Sequence, residues 1–193
     1  MRRIGSVLGY EQASLDQVVP DTTMPSDAPQ DRLMRPGNLG LILHEGANGT
    51  LAFDWMHWSQ AEKADPADDR SPLRPTLALS DLAKGGRTAR KLAKRRCVVP
   101  LVRYSIPVRD GDVWSHRWIT PASGQMVCAA GIWLADRSES PRFALITGDG
   151  GRSAESEVAA GPLLLAETDL LTWLRAPLKD ALSGLGRHCS HSS

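Results

Sequence analysis

CVVPLVRYSIPV, Cys97 to Val108, is rich in Val and Ile and carries Pro100 and Pro107. Such a run suits a strand and no helix, because proline inside a helix removes a hydrogen bond and clashes with the preceding turn. Three similar runs follow: VWSHRWIT (113–120), QMVCAAGIWLA (125–135) and RFALITG (142–148), separated by RDGD, PASG and DRSESP. They read as short strands joined by turns. Upstream, LGLILHEGANGTLAFDWMHW (Leu39–Trp58) sets two apolar, β-leaning runs around GANG, the signature of a hairpin. Pro20, Pro25, Pro29 and Pro36 lie among Asp, Ser and Thr, so residues 11–36 are expected to follow the surface as a loop. Acidic, proline-bearing residues 59–75 read as an exposed loop. SDLAKGGRTARKLAKRR (Ser80–Arg96) is expected to begin a helix with Ser80 as its N-cap, interrupted at Gly85–Gly86. ETDLLTWLRAPL (Glu167–Leu178) reads as a short amphipathic helix limited by Pro177. Helical and strand runs together predict an α+β fold on antiparallel strands. One domain is expected over residues 1–182, followed by a disordered tail over 183–193.

The bulk numbers fit that reading. A chain of 193 residues is long enough to bury a core without covalent staples. Its formal net charge of +1 carries no bias toward nucleic acid or membrane by itself. Three cysteines, Cys97, Cys128 and Cys189, match neither a disulfide framework nor a zinc spacing, which fits a reducing cytoplasm. No apolar run approaches the roughly 18 residues of a membrane-spanning helix, and no leader follows the two N-terminal arginines.

Several motifs, in order, resemble the SOS-response-associated peptidase family. Arg95, Arg96, Cys97, Val98, Val99 and Pro100 are similar to its R-R-C-L-V-P block. Ala129 to Trp133 (AAGIW) look like its F-A-G-L-W block, and RFALITG like a later strand. Met56, His57 and Trp58, with KADP close behind, resemble its M-R-W block before an acidic loop. MRPGNLGLIL echoes a segment upstream, so the resemblance spans about Pro36 to Leu174. It implies a twisted, barrel-like antiparallel sheet with a basic cleft for single-stranded DNA. It also implies an N-terminal cysteine that condenses with an abasic site to form a thiazolidine crosslink, assisted by Asn, Glu and His. Here position 2 is Arg2, which offers no aminothiol. The family's Asn-Ala-Arg falls on Leu77, Ala78 and Leu79, its Glu near Ile106, and its His-bearing run on Val158–Pro162. None of these side chains can transfer a proton.

The remaining candidates follow from local chemistry. Arg95 and Arg96 could favour a Cys97 thiolate, but a cysteine opening an apolar run is expected to be buried filler. Lys84 to Arg96 carries seven basic residues and no acid, a surface suited to phosphates. Within it Arg87, Arg90, Lys91, Lys94 and Arg95 are expected to contact DNA, with Trp58 stacking on a base. Trp114, Trp118, Trp133 and Trp173 are expected in the core. His188, Cys189 and His191 lack a fixed geometry for a metal. The expectation is a monomeric, non-catalytic domain, without metal or cofactor, that binds single-stranded or abasic-site DNA non-covalently. An active crosslinking enzyme or peptidase with a relocated nucleophile is one alternative. A protein-interaction module that has lost DNA binding is another.

Overall fold

The computed structural model describes residues 9–13, 33–46, 48–59, 74–84, 94–110, 113–121, 126–135, 140–148, 157–158 and 160–185. Eleven strands form one sheet: β1 (Gly9–Gln12), β2 (Leu33–Met34), β3 (Leu39–Glu45), β4 (Leu51–Trp58), β5 (Thr76–Ala78), β6 (Arg96–Asp110), β7 (Val113–Ile119), β8 (Val127–Leu134), β9 (Arg142–Thr147), β10 (Glu157–Val158) and β11 (Leu164–Leu165). Among the described residues three short helices accompany them: α1 (Leu79–Ala83), α2 (Leu170–Arg175) and α3 (Leu178–Leu185), with a 3-10 turn at Glu167–Asp169 before α2.

The expected hairpin and the four expected strands are present, and the α+β class holds. Asn48 makes the hairpin turn: its Oδ1 accepts from the Thr50 amide at 3.2 Å and the Thr50 hydroxyl at 2.6 Å. Gly49 takes a φ of 78°, which a side chain would resist.

The sheet is mixed, not purely antiparallel. β4 and β5 both run parallel to β9 along the same edge. The ladder passes from Trp58 and Ser59 directly to Pro75: Ser59 N–H donates to Phe143 O at 2.9 Å, and Leu145 N–H to Pro75 O at 3.0 Å. Both runs travel the same way because the chain leaves the edge after Ser59 and rejoins it at Pro75. β2 falls inside the segment expected to be loop, and β1 runs into its start. Polar GYEQ and a two-residue strand give no periodic signal, yet β6 supplies the edge on which β1 pairs. Helix α1 begins two residues early, at Leu79, with Ala78 as N-cap and no side-chain cap, so Ser80 lies within the helix. Helix α3 runs to Leu185, past the start of the expected tail.

Five strands pair in a closed circuit: β3–β4, β4–β9, β9–β8, β8–β6 and β6–β3. Alternation then divides the apolar residues into two cores. Ile42, Met56, Trp58, Cys97, Val99, Leu101, Ala129, Phe143 and Leu145 share one cluster with Tyr10. Their neighbours Val98, Ala130, Ile132, Ala144 and Ile146 pack on the opposite face against Trp173, Leu174 and Ala181 of the helices. Trp173 Nε1–H donates to Cys97 O at 2.8 Å. Buried Arg96 donates Nη2 to the carbonyls of Leu174 and Ala176, so a cation meets the negative end of α2.

Candidate nucleic-acid interface

Ala78 and Pro162, two positions that the resemblance singled out, meet at Thr147. Ala78 lies beside Thr147 on one edge of β9, and Pro162 bridges Thr147 on the other. Next to Pro162, a Cβ on Gly161 would meet Tyr104 Cε2 at 2.9 Å, so the phenol lies flush against that backbone. Tyr104 is two residues from buried Ile106, and Val158 pairs with Val108. The neighbourhood of Ala78, Thr147, Gly161, Pro162 and Tyr104 holds neither carboxylate nor imidazole. Tyr104 is its titratable group, and burial pushes the phenol above its ordinary value, away from a role as base at neutral pH.

Cys97 is no nucleophile. It is fully buried at the start of β6, and burial holds its thiol well above the ordinary value. The same cause, with Glu167 adding to it, pushes Cys128 up to about 11. Both groups stay neutral to higher pH in the folded chain than in the unfolded one. Their stabilising contribution is whole below the unfolded thiol value, about 8.5, and is lost as pH rises through the folded values. The unfolding temperature is expected to fall above about pH 9, and less so in Cys97→Ala. At neutral pH, iodoacetamide is expected to alkylate Cys97 only as fast as the chain unfolds globally, read by mass spectrometry against denaturant.

Of the residues expected to contact DNA, Trp58, Lys94 and Arg95 are among the described ones. Trp58 is wholly buried, tilted against Tyr10 at a ring-centroid distance of 5.1 Å, and its Nε1–H donates to Pro75 O at 2.8 Å. It offers no face to a base, which corrects the stacking expectation: the closed circuit turns Trp58 inward and leaves Trp55 half-buried. Arg95 is half-buried, donating Nη1 to Ala135 O at 3.0 Å with its guanidinium 5.4 Å from the centre of the Trp133 ring. Lys94 is exposed. Arg87, Arg90 and Lys91 lie outside the described residues, as do His188, Cys189 and His191. Arg95 precedes the first residue of β6 and Ile106 lies about 36 Å further along the chain, at about 3.3 Å per residue, toward the other end of the strand.

At the far end of β6 a different arrangement appears. Trp118 is 40 % exposed on β7, which corrects its expected place in the core; Trp133 is half-buried and Trp173 buried. Trp118 pairs across from Ser105, and its ring edge lies against Gly9, where a Cβ would sit an ordinary 3.8 Å from Cη2. The Arg103 guanidinium lies 4.9 Å from the centre of the Trp118 ring, and Arg103 Nε donates to Glu11 Oε2 at 2.7 Å. His116 and Arg117 are exposed on the same strand. An open indole beside a guanidinium matches the chemistry of base stacking with phosphate contact. The signal was present in VWSHRWI, where Ser115, His116 and Arg117 break the alternation of a buried strand.

No family profile and no curated protein matches the sequence. Solved structures share its fold. A phage-related protein of Bordetella bronchiseptica superposes with a TM-score of 0.67 at 16% identity, covering 95% of this chain and 88% of that one. A second protein of the same organism gives 0.66 at 15% identity, over 91% and 92% of the two chains. A protein of Bacteroides thetaiotaomicron gives 0.61 at 16% identity, over 83% and 74%. No helix among the described residues is long and apolar enough to cross a membrane.

Proposed function

We propose that this chain is a non-catalytic member of the SOS-response-associated peptidase type. It binds single-stranded or abasic-site DNA non-covalently, as a cytoplasmic reader of DNA damage. The closed strand circuit supports reading the sheet as a small barrel of that kind. The observation that carries the function is the exposed Trp118 ring with the Arg103 guanidinium over it. Stacking is tolerant of sequence, because every base has a flat face. Arg103, on the same face as Trp118, supplies a cation for the backbone. Apolar Leu77 and Ile106, where the resemblance puts Asn and Glu, favour binding without chemistry.

Fluorescence anisotropy with a labelled single strand tests the reading. Trp118→Ala removes a stacking platform worth about 1–3 kcal/mol, so affinity is expected to drop roughly 5- to 150-fold with unchanged thermal unfolding. Arg103→Ala is expected to lower the slope of log affinity against log salt by about 0.7, the value for one phosphate contact on a single strand. Equal affinity in both variants would overturn the proposal. A heat-stable band on a denaturing gel with an abasic-site strand would favour the crosslinking enzyme instead.

A further inference from the structure

Strand β7 has an open edge: among the described residues it pairs with β6 alone. Its tip residue Val113 is 67 % exposed, and Ser115, His116, Arg117 and Trp118 are exposed on both faces. An exposed, apolar-flanked edge is a template for another strand, which natural chains leave open where something pairs with it.

The β6–β7 register fixes which backbone groups face outward. Asp110 pairs with Val113 across two residues, so that pair must be hydrogen-bonded; the alternative needs a bond between adjacent residues. Alternation then makes Val108–Ser115, Ile106–Arg117 and Tyr104–Ile119 hydrogen-bonded pairs as well. Pro107, which has no N–H to give, falls opposite His116 in a pair that needs none. The N–H and C=O groups of Trp114, His116 and Trp118 are left pointing away from β6.

The sequence of this edge is self-complementary. VWSHRWI reads nearly the same in both directions about His116: Val against Ile, Trp against Trp, Ser against Arg. We infer that β7 is a homodimer interface, in which a second copy adds its own β7 antiparallel about a two-fold axis at His116. In that register Val113 faces Ile119 of the second copy, and Trp114 stands opposite Trp118. Every outward group finds its mate, in about six inter-strand hydrogen bonds. Apolar and aromatic positions meet their like, while each Arg117 faces Ser115 instead of another arginine, so the arginines do not oppose each other. A two-fold pairing is closed, so it stops at two copies. This departs from the monomer expected of the sequence, and it stands whether or not DNA binds.

Sedimentation equilibrium of the full chain tests it, with two edge variants. His116→Pro deletes an outward N–H and leaves the β6 ladder intact, since that amide does not face β6. Val113→Lys places a charge on an exposed tip where it meets Ile119 of the second copy. A wild-type dimer is expected, with self-association weakened ~tenfold or more in each variant and the Val113→Lys monomer still unfolding cooperatively, at a temperature that no longer depends on protein concentration. A wild-type chain that stays monomeric would overturn the inference. So would a dimer indifferent to both substitutions.

Discussion

Trp58→Ala is expected to destabilise the protein by about 3–5 kcal/mol, the range for emptying a large aromatic site in a core. The indole is among the largest fully buried side chains, and its Nε1–H holds Pro75 O, the carbonyl at which the chain rejoins β9. Truncation leaves a cavity inside the circuit and takes the indole donor from that carbonyl. Denaturant unfolding followed by circular dichroism gives the magnitude. The result also separates two roles for Trp58. A surface platform would lose DNA affinity with its stability intact; a core residue loses stability first.

Gly131→Ala is expected to cost about 3 kcal/mol, toward the upper end for overpacking. A Cβ there would lie 2.8 Å from Cys97 Sγ, 3.1 Å from Ala144 O and 3.3 Å from Val99 Cγ2. Gly131 pairs with Cys97 on one side and Leu145 on the other, so the backbone is held by both ladders and cannot step away. The sulfur is the obstacle that can be removed. Cys97→Ala is expected to recover part of the loss, giving a coupling of about 1 kcal/mol or more in a double-mutant cycle by chemical denaturation. Additive effects would mean that the clash lies with the backbone of Ala144 instead. The pair also states what Cys97 does: it fills the space that Gly131 leaves.

The strands were legible where composition and punctuation agreed. β6 to β9 are marked by β-branched runs and polar turns, and β3–β4 by GANG. Pairing partners were not legible, because β1 and β2 owe their existence to the edge of β6 and to each other, not to their own residues. Burial of the tryptophans was half legible. Alternation says that Trp55 and Trp58 face opposite ways, but only closure of the circuit says which way is inward. Site residues fared likewise: the basic run was plain in the sequence, while Arg103 and Trp118 are brought together by the register of β6 with β7. That Leu77 and Ile106 cannot transfer a proton needed no structure, whereas the meeting of Ala78 and Pro162 at Thr147 did.

The circuit of strands is closed by unequal seams. The β3–β4 ladder joins seven residue pairs through a tight turn, whereas β4 meets β9 through His57–Arg142 and Trp58–Phe143. Contacts between distant chain segments cost more closure entropy and so form later in folding. The hairpin is thus the early nucleus and the parallel seam the last stitch, whose amides exchange with solvent through openings that leave the hairpin protected. What looks like a uniform ring in space is a zipper in time, fastened at Asn48 and finished at Phe143.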